Sequence, residues 1–173
     1  MIPWNVYPYI FVFKKDYTNK IDEKVYSFKE IESILRKKSI HLENGLYSTI
    51  ANKKCESNSN VAIIVPYRNR TTHLNIFLNN MHQFLSKQNI NYKIYIVEPI
   101  EGITFNRALL FNAGFLEAVK DEKYTNFSWN CFIFHDVDLL PEDTRNVYKC
   151  DEKYPTHFAV ASSAWNYRLF ILS

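Results

Sequence analysis

The sequence predicts an α/β fold built on a mainly parallel sheet flanked by helices, and three observations carry that reading. Short apolar runs rich in β-formers recur at 61–65, 92–97 and 131–134. Between them lie two segments whose apolar residues repeat at helical spacing. A proline or a pair of carboxylates follows each run closely, so the strand ends are where the chemistry gathers.

Residues 1–60 read as an accessory lead-in, and residues 61–173 as the main fold. Ser27-Phe-Lys-Glu30 fits a capping box, and Ile31, Ile34 and Leu35 then give one apolar face, predicting a helix over 28–38. Asn44-Gly45 marks a turn, and the small polar stretch 55–60 serves as a linker. Val61-Ala-Ile-Ile-Val65 is a continuous β-branched run, the pattern of a strand buried on both faces, and Pro66 stops it. Leu74, Phe77, Leu78, Met81, Phe84 and Leu85 predict a helix over 72–87. A second strand over 92–97 follows, then a helix from about residue 106 marked by Ala108, Leu109, Asn112, Phe115, Leu116 and Val119. The third strand is Cys131-Phe-Ile-Phe134, and a further one is predicted over 157–161. Strand, helix, strand, helix, strand at this pitch implies parallel pairing through crossover helices.

At 173 residues the chain is long enough for one domain with a real core. An apolar fraction of 47% sets it apart from disordered chains. The net charge of +3 comes from the lead-in, where ten Lys/Arg face seven Asp/Glu, whereas residues 61–173 carry eleven of each sign. So weak a field argues against a nucleic-acid partner. The longest apolar approach to a membrane span, 2–13, is broken by Pro3 and Pro8 and falls short of the ~20 residues needed. It also lacks the basic start and cleavage site of a signal peptide. With only three glycines, the chain offers no dinucleotide fingerprint and no P-loop. Cys55, Cys131 and Cys150 allow at most one internal pair, and Asn69-Arg70-Thr71 and Asn126-Phe127-Ser128 match the glycosylation acceptor pattern.

Three strand ends supply the candidate site. Asp136 and Asp138 stand two apart, so on extended backbone they point to one side, where two carboxylates need a cation; a divalent metal carrying a phosphate suits them. Arg68 and Arg70, likewise two apart after the first strand, could clamp a diphosphate, since guanidinium forks match phosphate oxygens. Phe105 and Arg107 open the second helix, where an aromatic can stack on a base and the helix N-terminus favours an anion. Each signal alone also suits an ordinary surface: two solvated arginines, a staple at a helix start, a polar turn after a strand. His135 points away from Asp136 and reads as a core or supporting residue. Together the three ends suit a nucleoside diphosphate bridged to a metal. A phosphotransferase with Asp136 as nucleophile is the weaker reading, because no phosphate loop accompanies it.

Val61-Ala-Ile-Ile-Val-Pro-Tyr-Arg-Asn-Arg70, Phe105-Asn-Arg-Ala-Leu-Leu-Phe-Asn-Ala-Gly-Phe115 and Phe134-His-Asp-Val-Asp-Leu-Leu-Pro141 closely resemble the β-1,4-galactosyltransferase family in order and spacing, over about residues 46–161. The resemblance implies the GT-A nucleotide-sugar fold (Rossmann-like) and an inverting, manganese-dependent hexosyltransferase of the Golgi. Such an enzyme moves galactose, or N-acetylgalactosamine, from UDP-galactose or UDP-N-acetylgalactosamine to a terminal N-acetylglucosamine or glucose of a glycan acceptor. By motif position it implies that Pro66, Tyr67, Arg68 and Arg70 line the UDP site, with Tyr67 where phenylalanine is usual. Phe105 and Arg107 would hold the uracil end and the diphosphate, Asp136 and Val137 would contact the nucleotide, and Asp138 would ligate Mn2+. It also implies a Cys131–Cys150 disulfide and an upstream partner for Cys55 that this sequence does not contain.

The same pattern expects more than a hundred residues after Ala161, bearing a Trp-Gly-Trp-Gly stretch, the catalytic base and two further metal ligands, and a membrane anchor before the lead-in. On that expectation the chain is the donor-binding part of a transferase, truncated after the Asp-Val-Asp motif and the next strand, and holds no catalytic base. It would be weakly active or inactive alone. The alternative is a non-catalytic UDP-binding fragment or inactive isoform that works through interactions.

Overall fold

The computed structural model describes residues 18–125, 127–157, 162–163 and 166–167. In order these form α1 (Phe28–Lys37), β1 (Leu46–Tyr47), β2 (Asn60–Pro66), α2 (Thr71–Leu85), β3 (Asn91–Val97), α3 (Arg107–Thr125) and β4 (Cys131–Phe134). The strand anticipated over 157–161 falls, apart from His157, outside the described residues, as does Asn126.

The four strands make one sheet in the order β1-β3-β2-β4. β2 pairs in parallel with β3 and with β4, and β1 joins β3 antiparallel, so the sheet is mainly parallel as its sequence pattern requires. Central β2 is buried along almost its whole length, which explains why it reads as an unbroken apolar run rather than an alternating one. Alternate residues feed two cores. Val61, Ile63 and Val65 pack with Phe77, Met81, Phe84 and Leu85 of α2 and with Ile31 and Leu35 of α1. Ala62 faces the other way, into a smaller cluster with Ala118 of α3 and Trp129.

Local signals hold as read. Ser27 and Glu30 form both halves of the capping box. Asn44 and Gly45 both take positive φ (49° and 80°) in a two-residue hairpin loop closed by Glu43 and Leu46, the geometry an Asn-Gly pair favours. Through that hairpin the segment before residue 60 enters the sheet: Tyr47 is buried and stacks on Tyr92 of β3 at 4.9 Å. Farther upstream, Asp22 is held by Asn80 of α2 in both directions, its N–H donating to Oδ1 (2.8 Å) and its carbonyl accepting from Nδ2 (2.8 Å).

Gly114 sets how closely α3 lies on the sheet. A Cβ there would fall 2.4 Å from a methyl of Ile64 and 2.6 Å from one of Val97. Because β2, β3 and β4 are parallel, their carboxyl ends open on one side, and α2 and α3 both begin there. A disulfide joins Cys131, the first residue of β4, to Cys150 with Cα atoms 5.4 Å apart, and Cys55 is a free, exposed thiol.

Candidate functional site: a crevice at the carboxyl ends of β2, β3 and β4

β2 ends at Pro66, and the next residue is still tied to β3, the Tyr67 N–H donating to the Val97 carbonyl at 2.9 Å. The Tyr67 ring is buried, and its hydroxyl shares a 3.1 Å hydrogen bond with Thr71 at the start of α2. The backbone then turns sharply, with Asn69 in the left-handed region at φ 50°. That turn corrects the idea that Arg68 and Arg70 alternate on extended backbone toward one ligand. Arg68 swings to the loop after β3, where its guanidinium donates to the Ile103 carbonyl and lies 5.6 Å over the Phe105 ring. Arg70 goes the other way, to Asp138, with Nη1 and Oδ2 2.7 Å apart.

The acidic pair also differs from the extended reading. β4 ends at Phe134 and the chain turns through Val137 and Asp138, the Leu139 N–H approaching the Asp136 carbonyl at 3.3 Å. Val137 is buried in the core and the carboxylates on either side of it reach the surface, so each meets a different arginine. Arg107, the first residue of α3, grips Asp136 with both tines of its fork, Nε to Oδ1 at 2.7 Å and Nη2 to Oδ2 at 2.9 Å. Its guanidinium also lies 4.7 Å over Phe111, whose ring meets the exposed Phe134 at 4.9 Å.

Two guanidiniums, from beyond the ends of β2 and β3, thus pair with the two carboxylates that follow β4, while that of Arg68 turns to the Ile103 carbonyl and Phe105. Phe105 is 42% exposed at the rim, so its face is available to a flat ring and is not spent as a staple inside the core. His135 lies beneath, its ring edge-on to Phe77 at 5.2 Å. Burial lowers its pKa from the ordinary imidazole value, more than the carbonyl of Asp136 and the carboxylates of Asp136 and Asp138 raise it. Two features went unread in the sequence: the Ile103 carbonyl that receives Arg68, and Tyr148, which bonds His135 across 13 residues. Neither contact is local, so no spacing signals it.

For a metal, the donor chemistry is right and the donor number is small. Asp136 and Asp138 are hard oxygen donors suited to Mn2+ or Mg2+. Among the described residues no group of three or more His, Cys, Asp or Glu side chains converges. Such a set fits an ion held by one or two carboxylates and completed by phosphate oxygens and water. No helix among the described residues is long and apolar enough to cross a membrane.

Comparison with known proteins fits this geometry. The model of the N-terminal region of glycosyl transferase group 7 matches residues 15–151. Human β-1,4-galactosyltransferase 4 is 48% identical over 117 residues, which is 68% of this chain and 32% of that protein. Bovine β-1,4-galactosyltransferase 3 is 46% identical over 116 residues, 67% of this chain and 28% of its own length. A β-N-acetyl-D-glucosaminide β-1,4-N-acetylglucosaminyl-transferase of Lymnaea stagnalis is 42% identical over 118 residues, covering 68% of this chain and 23% of that protein. The chain therefore spans about a third or less of the length of the curated relatives it matches. Among solved structures, a mutant Drosophila β-1,4-galactosyltransferase 7 in complex with manganese, UDP-Gal and xylobiose aligns at a TM-score of 0.47 and 29% identity, over 55% of this chain and 37% of that one. The matched segment spans β1 to β4 and every residue of the crevice, and the chain belongs to the β-1,4-galactosyltransferase family, glycosyl transferase group 7.

Proposed function

We propose that the crevice is the donor-nucleotide site of a metal-dependent, inverting hexosyltransferase that takes galactose or N-acetylgalactosamine from its UDP-sugar to a terminal N-acetylglucosamine or glucose of a glycan, in the Golgi. The observation that carries this reading is the pairing of Arg70 with Asp138 and of Arg107 with Asp136 at the carboxyl ends of the parallel strands, two ion pairs that a metal-bound diphosphate can replace. Family membership supports the reaction class.

In this reading the arginines serve the leaving group. Arg70 and Arg107 exchange carboxylate for phosphate oxygens, which their forks match equally well. Phe105, backed by the Arg68 guanidinium, offers its face to the uracil ring. Pro66 and Tyr67 form the floor beneath the nucleotide, and Asp136 and Val137 border it. Asp138, released from Arg70, would supply an oxygen ligand to Mn2+. When bound, the ion supplies Lewis-acid stabilisation of charge on the departing diphosphate. The two helix N-termini at the crevice add a favourable field for the same anion.

Competition between nucleotides tests the reading. With Mn2+ present, UDP, UDP-galactose and UDP-N-acetylgalactosamine are expected to bind the chain, and ADP to bind at least about tenfold more weakly, about 1.4 kcal/mol. Equal affinity for ADP, or none for any UDP compound, would remove the donor site from this crevice.

A further inference from the structure

Below the Asp136–Val137–Asp138 turn lies a polar contact that the donor-site reading leaves unused. The His135 ring sits between two oxygens, with Nδ1 2.8 Å from the Asp136 carbonyl and Nε2 2.7 Å from the Tyr148 hydroxyl. A carbonyl can only accept, so Nδ1 carries the hydrogen and Nε2 of the neutral ring is an acceptor. The Tyr148 hydroxyl must then be the donor to Nε2. One phenol thereby fixes the tautomer that holds the Asp136 carbonyl in place.

Both ends of this contact are anchored. The His135 N–H donates to the Ile64 carbonyl of β2 at 2.9 Å, and Phe77 meets the imidazole edge-on. Tyr148 is 2% exposed and packs edge-on against Phe84 at 5.7 Å. Its N–H donates to Gln88 Oε1 at 2.9 Å, while Gln88 Nε2 donates to the Asn146 carbonyl at 3.0 Å. Two residues on, Cys150 is bonded to Cys131. The His135–Tyr148 hydrogen bond thus lies across the neck of the loop from 135 to 148, inside the Cys131–Cys150 bond, and the turn bearing both carboxylates springs directly from that neck.

We infer that Tyr148 is a positioning residue for the nucleotide–metal site, acting through His135 to hold the Asp136 carbonyl and so the direction of the Asp136 and Asp138 carboxylates. The inference rests on the donor-site reading only for what those carboxylates receive. The hydroxyl serves as outer support of the kind that orients groups bearing a metal. Removing it leaves the buried ring and the disulfide intact, and frees the imidazole to change tautomer and release the carbonyl.

Three measurements on the full chain decide it. In the unaltered protein, 15N shifts are expected to show His135 as the Nδ1–H tautomer with Nε2 accepting; the opposite tautomer overturns the inference without any variant. In Tyr148→Phe, amide exchange at Val137, Asp138 and Leu139 is expected to quicken about tenfold while β2 and α2 keep their protection. The same variant should bind UDP with Mn2+ about tenfold more weakly, with affinity for UDP alone unchanged. Unchanged exchange at those amides, or unaltered UDP–Mn2+ affinity in a protein that binds it, overturns the assignment. Failure of the unaltered chain to bind UDP with Mn2+ would sink the donor-site reading instead, and the exchange rates would still decide the role of Tyr148.

Discussion

Arg70 and Asp138, 68 residues apart in sequence, meet at 2.7 Å across the mouth of the crevice, with side chains 54% and 45% exposed. An ion pair this exposed contributes at most about 1 kcal/mol to stability. Replacing it by Asp138–cation and Arg70–phosphate contacts is therefore cheap for the fold. The pair is better understood as a resting arrangement of two ligand-binding groups than as a structural tie.

Arg70→Ala should accordingly separate binding from stability. Affinity for UDP with Mn2+ is expected to fall about tenfold, roughly 1.4 kcal/mol, since a charged partner of the phosphate is lost. The melting temperature should move by no more than about two degrees. Calorimetric titration and thermal melts of the same preparations check both halves. A large drop in melting temperature with unchanged affinity would make the pair structural after all.

Stability should weaken in mild acid because of a histidine far from the crevice. His82 is buried on α2, with Nδ1 3.1 Å from the Tyr92 hydroxyl, and burial lowers its pKa to about 4. The unfolded chain takes up a proton near pH 6.5 and the folded one does not, so its contribution is complete above about pH 6.5 and is lost as pH falls toward 4. Between pH 7 and pH 5 the loss from this residue is about 2 kcal/mol. His135, lowered in the same direction by burial, adds to it. Urea unfolding at the two pH values measures the loss, and His82→Gln should shrink it.

The closeness of α3 to the sheet predicts an unusual sign for a helix substitution. Gly114→Ala gains about 1 kcal/mol of helix propensity. The added methyl would collide with β-branched side chains of Ile64 and Val97, which have little freedom to yield. Overpacking of this kind costs about 1–3 kcal/mol, so the variant should unfold at lower denaturant than the parent. A rise in the midpoint would mean that α3 can lift off the sheet without penalty.

Much of this arrangement was legible in the sequence because it is written locally. The β-branched run of β2, the helical spacing of α2 and the Ser27–Glu30 capping box each depend on neighbours within a few positions, and each appears where expected. The identity of the crevice residues was legible too, since parallel strands send their ends to one side. Their pairing was not. The left-handed backbone at Asn69 aims Arg68 and Arg70 in different directions; asparagine tolerates that conformation, but no spacing rule foretells that this one adopts it. Nor does local pattern reveal that Tyr47 stacks on Tyr92 or that Tyr148 reaches His135, because both contacts join distant parts of the chain. The Cys131–Cys150 bond, which family resemblance implied and arithmetic alone left open, is present.

The central claim is that Asp138 and the arginines around it form a metal-dependent UDP site, and one titration tests it most directly. The purified chain is titrated with UDP, with and without Mn2+, beside Asp138→Ala. UDP should bind well only when Mn2+ is present, and Asp138→Ala should abolish that dependence while its melting temperature stays close to the parent's. Binding that ignores both Mn2+ and Asp138, or a folded monomeric chain that binds no UDP under any of these conditions, would contradict it.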